Sequence, residues 1–225
     1  QSVPVILGAN LGTTLTLQLI SFRLNKYCYA LVALGFGLSL LPSERQRHFG
    51  RAVLGYGMLF LGITTLGNAI EPYREQLAGM LVRLYGETLW ETLVAVLLAT
   101  LLTAAVQSSG AVVGMCFVLA STGVITRLDQ VFPIVLGAHI GTVTPALLFS
   151  LGANLDVRRA AIGHLVFNVT GTVLMLLIAP WVLNIVRMTT ADLVHQTANL
   201  HTLTIAIPAL LVLPFSRTYA RLLEF

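Results

Sequence analysis

Gly8-Ala9-Asn10-Leu11-Gly12-Thr13-Thr14-Leu15-Thr16 decides the reading of this chain, because it returns as Gly137-Ala138-His139-Ile140-Gly141-Thr142-Val143-Thr144. Both copies lie in apolar stretches long enough to cross a bilayer. Two glycines four apart, a polar residue between them and hydroxyls just after make a poor lipid-facing helix. Shielded by protein, the same residues are expected to break the helix and turn backbone and hydroxyl groups toward a ligand. Such a device repeated in two halves of a membrane chain points to a transporter site. Close helix packing is the competing reading, with Gly8/Gly12 and Gly137/Gly141 acting as G-x-x-x-G pairs. Packing leaves Asn10, Thr13, Thr14 and Thr16 unexplained. It accounts better for the second copy, where Val143 stands opposite Thr14.

Composition places the chain in a membrane. Of 225 residues, 56% are hydrophobic and 10% charged, with mean hydropathy +0.87; a soluble domain carries roughly 25% charged residues. Several apolar runs fall short of the ~20 residues a straight crossing needs, so they are read as half-helices or re-entrant hairpins. The net charge of +4 reflects loop arginines. With no Lys/Arg run interleaved with aromatics, nucleic acid is excluded as a partner. Cys28 and Cys116 sit in apolar surroundings and read as small hydrophobes. The chain opens without a basic leader or a methionine, so the true start is expected before Gln1.

The expected organisation is one transmembrane domain: a first repeat over 1–70, an amphipathic connector over 71–91 and a second repeat over 92–225. Leu77, Leu81, Leu84 and Leu89 space the connector like an interfacial helix, and Pro72 fits its first turn. In the second repeat an apolar arm leads to Gln107-Ser108-Ser109-Gly110 and another follows. After the Gly137 motif comes a loop with Arg158 and Arg159, then a long helix from about Ala160 to Val186. The spacing from Gly8 to Ala30 differs by one position from that between Gly137 and Ala160. No counterpart of Gln107-Ser108-Ser109 lies upstream of Gly8, so that piece is expected before Gln1. Placing the Arg45/Arg47/Arg51 loop, the Arg158/Arg159 loop and the Arg217/Arg221 tail in the cytoplasm makes 92–125 start and end on one side, as a re-entrant hairpin does. It also sends the two glycine motifs across in opposite directions. Arg23 and Lys26 then fall outside, so charge bias alone does not orient the chain.

Gln107, Ser108 and Ser109 bring a carboxamide and two hydroxyls into an apolar hairpin. At its tip the second arm begins with free, partially positive N–H groups suited to an oxyanion. Hydroxyls and freed carbonyls suit sodium. A serine pair alone reads as interhelical glue; beside the repeated glycine motif, the ligand reading comes first. His139, His164, His195 and His201 match no metal-ligand spacing, so no transition-metal site is expected. His139 replaces the Asn10 of the other copy and is the one titratable group inside a motif. Asn168, Asn199 and His201-Thr202 divide between support of a site and packing glue.

Gln107-Ser108-Ser109, both glycine motifs, His164-Leu165-Val166-Phe167-Asn168 and Asn199-Leu200-His201-Thr202-Leu203 together resemble the sodium–phosphate cotransporter family (type II), over essentially the whole chain. The resemblance implies an all-α polytopic protein of inverted repeats, with re-entrant hairpins and broken transmembrane helices, multi-pass in the inner (plasma) membrane. It implies phosphate contacts from Gln107, Ser108, Ser109, Asn10, Thr13 and Thr14. Sodium contacts would come from Ser108, Ser109, Thr142, Thr144 and Thr16, with His139, Asn168 and Asn199 in support. The chain departs from the family pattern at Gly110 in place of a third serine, His139 in place of Asn, Val143 in place of Thr, and Thr204-Ile205 where the family tends toward Phe-Asn. The expected function is a sodium-coupled phosphate symporter, not an enzyme, working by alternating access without a cofactor other than the coupling ion. Its partners would be phosphate, sodium and the lipid bilayer, with a homodimer or a soluble regulatory domain left open. The alternative is a non-transporting phosphate sensor or regulatory subunit. An intramembrane enzyme using Ser108 or Ser109 with His139 ranks last, since no G-x-S-x-G elbow or catalytic carboxylate accompanies them.

Overall fold

Every regular element among the described residues is helical. The structure, a computed structural model, describes residues 2–84 and 88–223, and the side chains of 3–79 and 88–223. Helix α1 (Ser2–Ser21) runs unbroken through Gly8 and Gly12, against the expectation that the first motif interrupts it. Glycine in a helix interior costs about 1 kcal/mol, less than exposing backbone polar groups in a bilayer. The chain leaves α1 through Arg23, in the left-handed region at φ 53, whose N–H donates to Ile20 O.

A 3-10 turn (Leu24–Tyr27) leads into α2 (Cys28–Ser39), which folds back on α3 (Glu44–Ile70). Glycine makes this hairpin close: a Cβ at Gly35 would lie 2.2 Å from Leu54 N, and one at Gly57 would lie 2.7 Å from Val32 N. Pro72 sits in a 3-10 turn (Glu71–Tyr73) before α4 (Arg74–Leu84). The expected connector therefore contains a helix, but the side chains of Leu81 and Leu84 lie outside the described residues. Leu89 opens the next element, α5 (Leu89–Val106), which Thr88 and Glu91 cap reciprocally.

Helix α6 (Ser109–Ser121) follows directly and leads to α7 (Leu128–Gly141). Within the second motif the helix does step, at Thr142–Val143, before α8 (Thr144–Ser150). Pro145 explains the place, because it has no N–H to donate to the Gly141 carbonyl. The long helix expected over 160–186 is two helices, α9 (Leu155–Leu177) and α10 (Ala179–Thr189), separated at Ile178 ahead of Pro180. Helix α11 (Leu193–Val212), a 3-10 turn (Leu213–Phe215) and α12 (Ser216–Leu222) complete the chain.

Among the described residues, six stretches are long and apolar enough to cross a membrane: Val3–Ser21, Glu44–Gly79, Leu89–Val106, Leu128–Ser150, Leu155–Leu177 and Leu193–Leu222. At 13 residues, α6 is about 20 Å long, short of a ~30 Å hydrocarbon core. The core gathers Leu17 and Ile20 of α1, Phe60 of α3, Val113 and Phe117 of α6, Val131 and Leu136 of α7, Met175 of α9 and Leu200 of α11. Lipid is as apolar as these side chains, so close packing and interhelical hydrogen bonds hold the bundle together.

Candidate functional site

Helix α5 stops at Gln107, which takes a left-handed conformation (φ 58) and donates its N–H to Thr103 O at 2.7 Å. Ser108, in an extended conformation, caps α6 by accepting the Ala111 N–H on Oγ at 3.2 Å. The earlier amides of that first turn stay outside the helix ladder and form the positive end of the helix dipole. Gln107 and Ser108 are exposed at the turn, and Ser109 is buried. The turn therefore has the form expected from sequence: hydroxyls and free amides at the head of a short helix.

Thr16 of α1 meets this turn across a cavity of ≈ 360 Å³ lined also by Gly62 and Leu66 of α3 and by Gly110 and Gly114 of α6. A second cavity of ≈ 340 Å³ shares Ile20 and Ile63 with the first and reaches Arg23, Asn68, Glu71 and Thr122. An apolar chamber with hydroxyls at one end thus adjoins a polar vestibule between α1, α3 and α6. At the vestibule Arg23 pairs with Asp192, which accepts from His195 N at 3.0 Å and meets His195 Nδ1 at 2.6 Å. Asp192 lies at the start of α11. Burial raises its carboxyl's pKa, but the hydrogen bonds from His195 and the Arg23 charge outweigh burial and hold it below its ordinary value.

The other residues expected at the site divide among separate places. Asn10 of α1 is buried and does not line the Ser108 cavity. Its Nδ2 donates to Asn168 Oδ1 at 3.4 Å, and its Oδ1 accepts from His164 Nε2 at 3.1 Å. Asn168 Nδ2 donates to the His139 carbonyl at 2.7 Å, and His139 Nε2 lies 2.9 Å from Thr204 Oγ1. This network joins α1, α9, α7 and α11. Thr13 and Thr14 give their hydroxyl protons to Asn10 O and Leu11 O within α1. Thr142 ends α7 and Thr144 opens α8, both half-buried and neither lining the Ser108 cavity. Asn199 accepts from Gln18 Nε2 at 3.0 Å and donates to Thr189 Oγ1 at 2.8 Å.

Sequence reading missed Gln18, and it noted Thr204 only as a departure from the family pattern, not as a partner of His139. Gln18 continues the stripe Asn10, Thr14, Gln18 at a spacing of four, which helical periodicity exposes. Thr204 follows His201 by three on the same face of α11. His201 is fully buried, and neither of its ring nitrogens has a hydrogen-bond partner. An unsatisfied buried polar group costs about 1–3 kcal/mol.

Some of the relatives found by comparison with known proteins are named for phosphate transport. The protein YqeW of Bacillus subtilis (strain 168) is 27% identical over 225 residues, all of this chain and 72% of its own length. A protein of Escherichia coli (strain K12) named putative inorganic phosphate export protein YjbB is 28% identical over 179 residues, 76% of this chain but 31% of that protein. Human sodium-dependent phosphate transport protein 2C is 39% identical over 88 residues, 37% of this chain and 14% of its own length. No solved structure gives a significant match. The model of the Na+/Pi-cotransporter family matches residues 1–68 and 73–213. With a match of that extent, the chain belongs to the Na+/Pi-cotransporter family.

Proposed function

We propose that this chain forms the membrane core of a sodium-coupled transporter of inorganic phosphate, with the substrate received at the turn between α5 and α6. The observation that carries the reading is the meeting of Ser108 and Thr16, from the two motifs singled out in the sequence, across one cavity. The free amides and hydroxyl of the turn suit the phosphate oxygens. Sodium offsets the charge that phosphate brings into a chamber whose own lining, among the described residues, carries no cationic side chain. Hydroxyls shared between the two ligands let each raise the affinity of the other. In this reading the two glycine-motif segments are the centres of two inverted repeats, and α5–α6 is a re-entrant hairpin. One relative's name speaks of sodium-dependent transport and another's of export. A single alternating-access site serves both, because the gradients set the direction.

Radiolabelled phosphate uptake into proteoliposomes under an inward sodium or potassium gradient tests the reading. Sodium is expected to be required, and the Ser108→Ala/Ser109→Ala double variant to lose at least about 90% of the flux, a change of ~1.4 kcal/mol or more. Equal uptake with potassium removes sodium coupling. Saturable phosphate binding by folded protein without flux under either gradient turns the assignment to a phosphate sensor or regulatory subunit.

A further inference from the structure

Contacts between helices sort the charged residues into two ends of the bundle. Arg23, just after α1, pairs with Asp192 at the start of α11. Asp129 at the start of α7 pairs with Arg187 at the end of α10. Glu71, at the end of α3, lines the same vestibule as Arg23. Helix α5 runs parallel to α7, because Gly137 abuts Val96 and Gly141 abuts Thr100, so Glu91 belongs to this end too. Among the described side chains, five basic and five acidic groups balance there. The opposite end holds the starts of α1, α3 and α9, the end of α11 and α12, with Val3, Ala209 and Tyr219 in one cluster. Here arginines prevail: three at the start of α3 (Arg45, Arg47, Arg51), two at the start of α9 (Arg158, Arg159) and two on α12 (Arg217, Arg221). Among the described residues the carboxylates of this end are Glu44 and Asp156. Glu44 stands 3.9 Å from Arg47 and Asp156 3.6 Å from Arg159, distances at which exposed pairs hold weakly.

We propose that the exposed face of α12 binds the headgroups of anionic phospholipids. Tyr219 Oη donates to Gly163 O at 2.6 Å, and a Cβ at Gly163 would lie 2.6 Å from Leu223 Cδ1. That contact seats one side of α12 on α9. Arg217 and Arg221, one turn apart, stay exposed, and among the described residues neither has an ion-pair or hydrogen-bond partner. Leu222 and Phe215 are exposed beside them. Arg158, by contrast, is committed to the carbonyls of Ser150 and Leu151. A guanidinium presents paired N–H groups that match the oxygens of a phosphodiester. Apolar side chains next to it suit the acyl chains below the headgroup. This combination separates a lipid from inorganic phosphate, which gains nothing from Leu222 or Phe215. A zwitterionic headgroup carries its own cation and is not drawn by the surplus of arginines, whereas an anionic one is. The surface lies apart from both cavities, since none of its residues lines them, and it does not depend on the transport reading.

The test is native mass spectrometry of the complete protein in detergent, with phosphatidylglycerol or phosphatidylcholine added. Phosphatidylglycerol is expected to be retained at least about fivefold better, a preference that weakens as salt rises. Arg217→Gln/Arg221→Gln is expected to reduce that preference about fivefold or more. Arg45→Gln/Arg51→Gln removes equal charge at the same end and is expected to cost less. A photoactivatable phosphatidylglycerol locates the contact in the unmodified protein, so the outcome does not hang on a variant that folds. Label on 213–223 supports the surface, and label confined elsewhere overturns it. Equal retention of the two lipids overturns it, as do equal losses in the two double variants. Displacement of phosphatidylglycerol by inorganic phosphate would make the arginines a site for the free anion, and also sinks it.

Discussion

A single methyl group distinguishes the two copies of the glycine motif. Added at Gly137 it would lie 2.3 Å from the Val96 carbonyl oxygen, and at Gly141 2.5 Å from that of Thr100; at Gly8 or Gly12 it would meet nothing within 4 Å. Gly137→Ala and Gly141→Ala are each expected to destabilise the protein by about 1–3 kcal/mol through overpacking against α5. Gly8→Ala is expected to be neutral or stabilising by up to about 1 kcal/mol, from helix propensity alone. Thermal unfolding in detergent checks both, and equal losses at all four glycines would contradict the packing. The sequence already favours close packing as the better account of the second copy, and the glycine contacts agree; what it does not show is the partner, α5, because packing depends on what lies opposite. Asn10 teaches the same lesson: its polarity marked it as functional, yet its carboxamide bonds Asn168 and His164 rather than lining the Ser108 cavity. A double-mutant cycle with Asn10→Ala and Asn168→Ala is expected to give a coupling of about 0.6 kcal/mol, and no more than ~1.7, as for other interhelical bonds in membranes.

At the level of elements, short polar signals at helix ends were the easiest to read and long apolar runs the hardest. The turn at Gln107-Ser108 was legible because hydroxyls and a carboxamide interrupt an otherwise apolar stretch. The split between α9 and α10 was missed although Pro180 marks it, because uniform hydropathy carries a helix pattern straight through a break. Asp192 is the element-scale test. It caps α11 and binds Arg23 just after α1, so it ties together the helices that carry Gln18 and Asn199. Its carboxyl is held below the ordinary value of about 3.9. Its contribution is therefore fully present above that pH and is lost as pH falls through the lower, folded-state value. Asp192→Ala is expected to lower stability at neutral pH by about 1 kcal/mol, mostly as a lost cap. Because the side chain is 35% exposed, the Arg23 share should shrink in salt. Melts of both proteins should converge only once pH falls below the folded-state value of this carboxyl; a gap that persists there would mean that Asp192 acts by packing and not by charge.

Across the whole molecule, the polar network of Asn10, Asn168, His139 and Thr204 binds four helices into one body, while α3 and α6 face α1 across the cavity. The α2–α3 hairpin is closed by backbone-to-backbone contact at its glycines, so it is the tightest seam next to a space that stays open. That contrast separates folding from passage. A Cβ at Gly62 would meet nothing within 4 Å, and Gly62 lines the ≈ 360 Å³ cavity, whereas a Cβ at Gly35 would lie 2.2 Å from Leu54 N. Gly62→Leu is therefore expected to fill the chamber without disturbing a packed seam, leaving the melting temperature within a few degrees, a change of ~1 kcal/mol or less. Phosphate flux in proteoliposomes should fall at least about tenfold, ~1.4 kcal/mol on the barrier. Gly35→Ala should do the reverse, costing yield and stability with no specific effect on the flux of whatever protein folds. If Gly62→Leu transports phosphate at the unmodified rate, the route does not pass between α1, α3 and α6, and the meeting of Thr16 with Ser108 has no part in it. Loss of flux with an intact fold would make that cavity the passage, because a Cβ at Gly62 meets no packed neighbour.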